Sequence, residues 1–288
     1  MEHNVYQLMA EKMPLMSKSQ KKIASYVLER TSTVPFLNVA KLAAEAEVSE
    51  ATVVRFAVFL GYSGYPELQQ AMQHAVKQQL STTERLKMSS EMGEGREQAV
   101  YDLFHSDQEN IRLTMEQLDV TAFFRAVEAL LEARNIYISA NRSAASLGVF
   151  LQYYLSVMLG NAERVGTVEN SAEQLYKLGE GDVVFAISYS RYTRSTINMA
   201  SYAKQQGATT IALTDSLLSP LIPNADIALT ASSQLPSFID SFVAPFSVVN
   251  ALVAAIGKER MAEVEERLGK FEDIWDELDI FYKEERKT

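Results

Sequence analysis

A chain of 288 residues, 47% hydrophobic and 22% charged, can bury more than one core, so a two-domain protein is expected. Zero cysteines exclude disulfides, thiolate metal sites and a cysteine nucleophile, and three scattered histidines (His3, His74, His105) argue against a histidine metal site. The formal charge of −10 speaks against indiscriminate polyanion binding.

Residues 1–80 hold eight Lys+Arg against seven Asp+Glu, the one segment whose field does not repel phosphate. They read as an all-α domain. In "SKSQKKIASYVLER", Ile23, Tyr26, Val27 and Arg30 fall at helical spacing behind a cap at Ser17 or Ser19, and Pro35 marks a break. The following "NVAKLAAEAEVSEATVVRFAVFLGYSGYPEL" predicts two helices joined by a tight turn. Asn38 caps the first, with Val39, Leu42 and Ala43 inward; Ser49 caps the second from Glu50, with Val53, Phe56 and Leu60 inward.

Such a pair is either an ordinary helical hairpin or a DNA-binding helix-turn-helix, and periodicity alone does not choose. In the second case the later helix enters the major groove. Glu50, Ala51, Val54 and Arg55 then meet base edges, with Arg55 suited to bidentate guanine contact, and Ser49 and Thr52 reach phosphates.

Residues 81–95, "STTERLKMSSEMGEG", have linker composition. Helical periodicity resumes over 96–130, after which short apolar runs alternate with amphipathic stretches, the pattern of a parallel sheet. Strands are expected at Asn135 to Ser139, Ala162 to Thr167, Asp182 to Ile187, Thr209 to Leu213 and Ile227 to Thr230, and a helix at Ile239 to Ile256. The second domain is thus 96–257. Over 258–288, Met261, Val264, Leu268, Phe271, Trp275, Leu278 and Tyr282 alternate spacings of three and four. They predict a long helix with an apolar seam, packed on its own domain or on another subunit.

Ligands of parallel α/β sheets bind beyond the carboxyl ends of the strands, where helix N-termini offer free N–H groups. Two loops fit. Asn141, Arg142 and Ser143 follow the first strand; Ser188, Ser190, Arg191 and Thr193 follow the third. Hydroxyls, amides and a guanidinium suit a phosphate or carboxylate. The bland alternative is that these residues merely cap helices.

"VSEATVVRF" followed by "LGYSGYPEL" resembles the N-terminal domain of the RpiR-type, or MurR-type, bacterial transcriptional regulators, from about Ser17 to Leu68. Residues 131–257 resemble the sugar isomerase (SIS) domain, whose serine-rich loop matches at Ser188, Ser190 and Thr193; "QQGATTIALTDSLLSPLIPNADIAL" matches the strand, loop and strand that follow. The resemblance implies an α/β chain: a helix-turn-helix domain, then a SIS domain with a parallel sheet. It also brings departures. Glu47 stands where the family usually has glycine, and Ala57, Val58 and Phe59 where it commonly has basic residues. Arg191 likewise replaces a glycine, and Ala140, Asn141, Arg142 and Ser143 replace a glycine-rich loop. Lost phosphate contacts throw affinity onto dimerisation or onto Lys18, Lys21, Lys22 and Lys41.

The expected function is a DNA-binding transcriptional regulator controlled by a small anionic metabolite, a phosphosugar or sugar acid, without catalytic residues, metal or cofactor. Its partners are a palindromic operator and a second copy of the chain, as a homodimer or higher homo-oligomer. No run approaches the roughly 18 apolar residues of a membrane span and the start lacks a signal-peptide pattern, so a cytoplasmic protein is expected. Two alternatives stand beside it. One is a phosphosugar isomerase with an accessory helical domain, for which Asp240 is the carboxylate on hand in "LPSFIDSFVAPF"; the other is a DNA-binding protein whose SIS-like domain only dimerises.

Overall fold

A computed structural model describes residues 5–31, 33–79, 82–90, 96–235 and 237–282. The chain divides into two compact units, Met1–Met88 and Ser89–Thr288.

The first unit is helical: α1 (Val5–Lys12), α2 (Lys18–Glu29), α3 (Val39–Glu45), α4 (Glu50–Leu60) and α5 (Tyr65–Gln79), with 3-10 turns at Met13–Leu15 and Val34–Phe36. Ser17, not Ser19, caps α2, in a reciprocal box with Gln20, and the Asn38 side chain accepts from Lys41 N–H to cap α3. The core gathers Met9, Ile23, Leu42, Val53, Phe56, Leu68 and Met72, one or two from each helix. Polar clamps complete it: α5 sends Tyr65 Oη and Gln69 Nε2 to Leu37 O at 2.6 and 2.8 Å, fixing the chain just ahead of α3. Gly61, at φ 108°, ends α4 in the left-handed conformation that glycine adopts without a Cβ penalty.

Residues 82–90 of the expected linker form helix α6 (Thr82–Ser90), while 81 and 91–95 lie outside the described residues. Two helices, α7 (Arg96–Gln117) and α8 (Val120–Glu132), lead into alternating strands and helices. These are β1 (Ile136–Ala140), α9 (Ala145–Met158), β2 (Ala162–Val165), α10 (Val168–Leu175), β3 (Val183–Ile187), α11 (Arg194–Gln205), β4 (Thr209–Thr214) and β5 (Ile227–Thr230). The sheet is wholly parallel, in the order β2-β1-β3-β4-β5. Alternation of side chains divides it between two apolar layers. Ile136, Ile138, Phe185, Ile187, Ile211 and Leu213 pack with α8, α9 and α12 (Val243–Glu259); Tyr137 and Val184 pack with α10 and α11.

Two boundaries differ from expectation. The helix read from Ile239 starts at Val243, because the chain before it is bonded to α7, and it runs through Gly257 to Glu259. The C-terminal helix is α13 (Met261–Glu277). Its first half docks on its own domain: Val264 is buried, and Arg267 donates to Val157 O and Ser156 O at the end of α9, at 3.0 and 3.3 Å. Beyond, Ile274, Leu278 and Tyr282 are exposed.

Candidate functional site

In the first unit, α3 and α4 form the two-helix element and the residues proposed to meet DNA share one face. Glu50, Ala51, Val54 and Arg55 are all exposed on α4, while Val53, Phe56 and Leu60 are buried beneath them. Ser49 occupies the N-cap position but makes no capping bond. Its hydroxyl instead pairs with Thr52 Oγ1 at 2.8 Å, and Arg55 Nη2 donates to the same Thr52 oxygen at 3.2 Å. The three polar side chains thus form one connected row along the first turns. Lys12 Nζ donates to Phe59 O and Leu60 O at the other end of α4, where a cation offsets the helix dipole. Residues 57–59 carry no basic group; of these, Val58 is exposed.

Within the turn, Glu47 has φ 53°, a left-handed backbone that a Cβ disfavours by about 1–2 kcal/mol. The position has the geometry of a glycine and carries a carboxylate.

In the second unit, order β2-β1-β3-β4-β5 makes β1 and β3 adjacent, and the connections leave them in opposite directions. This is the topological switch point, where doubly wound sheets bind ligands. Ala140 lies beside Ile187 in register, so both candidate loops leave the sheet at that point. Asn141 Nδ2 donates to Thr196 Oγ1 in α11 at 2.9 Å, fastening the first loop to the helix that follows the second. Arg142 opens a 3-10 turn, Arg142–Ala144, and α9 proper begins at Ala145. Gly148 lets α9 approach the strand end: a Cβ there would lie 2.7 Å from Ala140 Cβ.

The second loop folds on itself. Thr193 stands at the N-cap of α11 without a side-chain capping bond, and its N–H donates to the buried Ser188 Oγ at 3.1 Å. Ser190 is only 7% exposed and its Oγ has no hydrogen-bond partner. An unpaired buried hydroxyl costs about 1–3 kcal/mol. Arg142 and Arg191, both exposed, have φ 56° and 64°, so both hold the left-handed backbone that glycine favours.

Asp215, Thr214 and Thr196 were not singled out from sequence. Tyr192 Oη donates to Asp215 Oδ1 at 2.7 Å, and Thr214 Oγ1 to the same atom at 3.2 Å, tying the loop to the end of β4. Thr196 receives Asn141. Asp215 was accessible to the strand-end rule, since "LTD" closes the fourth strand as the serine loop closes the third; Thr196 carried no such signal. Tyr189 is buried against Phe242, ring centroids 5.3 Å apart, and burial, with the nearby Asp215 charge, pushes its phenol well above the ordinary range. Asp240 lies three residues ahead of α12 and is not in its first turn.

Among the described residues no group of three or more His, Cys, Asp or Glu side chains is placed to hold a metal ion, and no helix is long and apolar enough to cross a membrane.

A helix-turn-helix unit followed by a doubly wound α/β unit defines a class: two-domain proteins of the helix-turn-helix type. Residues 3–79 match the helix-turn-helix domain of the rpiR family, and residues 129–255 match the SIS domain. The chain is a transcriptional regulator of the RpiR family with a SIS domain. It is 29% identical over 253 residues to an uncharacterized HTH-type transcriptional regulator of Caldanaerobacter subterraneus, covering 85% of this chain and 88% of that protein. The sugar isomerase domain of an RpiR transcription factor from Sphaerobacter thermophilus superposes with TM-score 0.58 at 28% identity, over 59% of this chain and 96% of that one. Vibrio vulnificus NanR, solved in complex with ManNAc-6P, shares the fold with TM-score 0.59 at 22% identity, over 96% and 99% of the two chains.

Proposed function

We propose that this regulator binds a small anionic metabolite, a phosphosugar or a sugar acid, at the β1/β3 rim, and that it works in the cytoplasm as a homodimer on a palindromic operator. The observation that carries the ligand reading is Ser190: a buried hydroxyl without a partner, between the bonded Ser188 and the left-handed Arg191, at the head of α11. The cap explanation of these loops is weakened, because neither Asn141 nor Thr193 uses its side chain to cap. ManNAc-6P in the similarly folded NanR supports a phosphosugar. Where the family's glycines let backbone approach phosphate, Arg142 and Arg191 bring guanidinium groups instead, so side-chain charge carries more of the recognition here.

The rim reads as a sensor and not an enzyme. Hydroxyls, amides and guanidinium groups hold anions, whereas aldose–ketose isomerisation needs a base, and Asp215 already accepts from Tyr192 and Thr214. The ligand must bind the DNA-competent and DNA-incompetent forms unequally; equal affinity regulates nothing.

The test is thermal unfolding against a panel of phosphosugars, sugar acids and small carboxylates. A binding anion at about a hundredfold its Kd stabilises the native state by about 2.7 kcal/mol. The shift is expected to vanish in Ser190→Ala and Arg191→Ala. No shift with any anion would leave the domain a dimerisation unit, and turnover of a phosphosugar lost on Asp240→Ala would make it an enzyme.

A further inference from the structure

Beside the helix-turn-helix turn, Lys18, Lys21 and Lys22 project at spacings of three and four along one side of α2. They line a shallow groove of about 440 Å³ whose opposite wall carries Glu45 and Glu47, with Glu29 at its end. Its lining thus carries three cations and three carboxylates, of which Lys22 and Glu47 pair across it. Glu45 Oε2 accepts from Tyr26 Oη at 3.0 Å; Glu47 Oε2 pairs with Lys22 Nζ, also at 3.0 Å. Both partners of that pair face solvent, with side chains 47% (Lys22) and 80% (Glu47) exposed.

Stability does not account for this carboxylate. A side chain at φ 53° costs about 1–2 kcal/mol. An exposed ion pair returns about 0–1 kcal/mol. Glycine at the same place would avoid the strain and lose little. Position is more telling: Glu47 lies two residues before Ser49, the N-cap of the helix whose exposed face carries Arg55. With α4 in the major groove, a lysine reaching the turn before it would lie toward the phosphates, and α4 itself has no basic residue after Arg55.

We propose that Lys22 is a DNA-phosphate contact and that Glu47 occupies it in the free protein, an internal competitor that lowers operator affinity and sets its salt dependence. The inference rests on the DNA-binding reading. A backbone phosphate binds Lys22 only by displacing Glu47, and it meets the repulsion of that carboxylate as it does so. Charge at one turn residue thereby tunes affinity without touching a base.

The experiment uses the full chain and duplexes enriched from a random-sequence library, separately by wild type and by Glu47→Gln, with binding followed by fluorescence anisotropy across a salt series. Glutamine keeps the backbone strain and removes the charge. Glu47→Gln is expected to bind about fivefold more tightly at low salt, the equivalent of about 1 kcal/mol. Its slope of log K against log salt steepens by up to about 0.9, because Lys22 no longer exchanges one anionic partner for another on binding phosphate. Glu47→Gly should bind like the glutamine variant, and Lys22→Ala should weaken binding and erase the gain from Glu47→Gln in the double mutant. Unchanged affinity and slope in Glu47→Gln, or an equal gain on the Lys22→Ala background, overturns the proposal while leaving DNA binding intact. Enrichment of no duplex by either chain overturns both.

Discussion

Of the four non-glycine residues in left-handed backbone among the described residues, Asp279 follows α13, while Glu47, Arg142 and Arg191 sit at the helix-turn-helix turn and at the two rim loops. Each costs on the order of 1 kcal/mol, and each places a charge where a glycine would place none. Their exposure, and their location at candidate binding elements, set them apart from residues that repay strain with packing. Asp182 shows the opposite economy. Its buried carboxylate at the start of β3 accepts from Arg134 at 2.6 and 2.9 Å, Asn135 at 3.0 Å and Gly179 N–H at 3.0 Å. Burial pushes the group up, but the hydrogen bonds and the Arg134 charge together outweigh it and hold it below the ordinary carboxylate range. A depressed folded value gives stability that is complete above the unfolded value of about 3.9 and is lost as pH falls through the folded one. Asp182→Asn should therefore lower stability by about 1–3 kcal/mol at neutral pH, with the gap to wild type closing below about pH 4 in urea unfolding at graded pH.

At the scale of elements, the segment between β5 and α12 is held by α7 through side chains more than a hundred residues away. The Asn110 side chain donates to Gln234 O at 2.6 Å and accepts from Ser232 Oγ and Gln234 N–H at 2.7 and 3.0 Å; Thr114 Oγ1 accepts from Ser232 N–H at 2.8 Å. Ser241 Oγ donates to Asp107 on the same helix. Asn110 is 1% exposed, so truncation would strand buried partners. Asn110→Ala should cost about 2–3 kcal/mol and speed amide exchange over residues 231–242 relative to the sheet, as read by hydrogen–deuterium exchange. Equal protection in variant and wild type would show that the segment is held by other contacts. This network also explains why α12 begins four residues later than its periodicity suggests. The apolar spacing of Ile239 and Phe242 is real, but Ser241 N–H donates to Ser233 O at 3.0 Å while its Oγ reaches Asp107 on α7, so the chain there is not coiled.

At the scale of the whole molecule, the proposed function gives the two units separate tasks, and lesions should separate them. Arg55→Ala is expected to weaken operator binding about tenfold or more while leaving the anion-induced thermal shift unchanged, since a bidentate base contact contributes about 1–3 kcal/mol. Ser190→Ala should do the converse in paired anisotropy and thermal-shift measurements. Loss of both activities in either variant would contradict the division of labour. Coupling, where present, must be reciprocal: an anion that weakens DNA binding by a given factor is itself weakened by DNA to the same factor.

Much of this was legible in the chain alone. Periodicity placed each of the five strands within a residue or two of its observed ends, because apolar runs of strand length between amphipathic helices have few other solutions. Local caps at Ser17 and Asn38, and the inward Val53, Phe56 and Leu60, followed from the same short-range chemistry. The residues proposed for the two sites, apart from Thr196, Thr214 and Asp215, come from addresses in sequence, strand ends and the early positions of the second helix, and their roles are proposals. Tertiary structure alone decided the order β2-β1-β3-β4-β5, which makes two separated loops neighbours at one switch point. It also decided the pairings Asn141 with Thr196, Tyr192 with Asp215 and Lys22 with Glu47. These contacts join residues 23 to 55 positions apart, and they exist only once the chain has met the entropy cost of closing those loops. No local pattern encodes which distant side chain will be waiting.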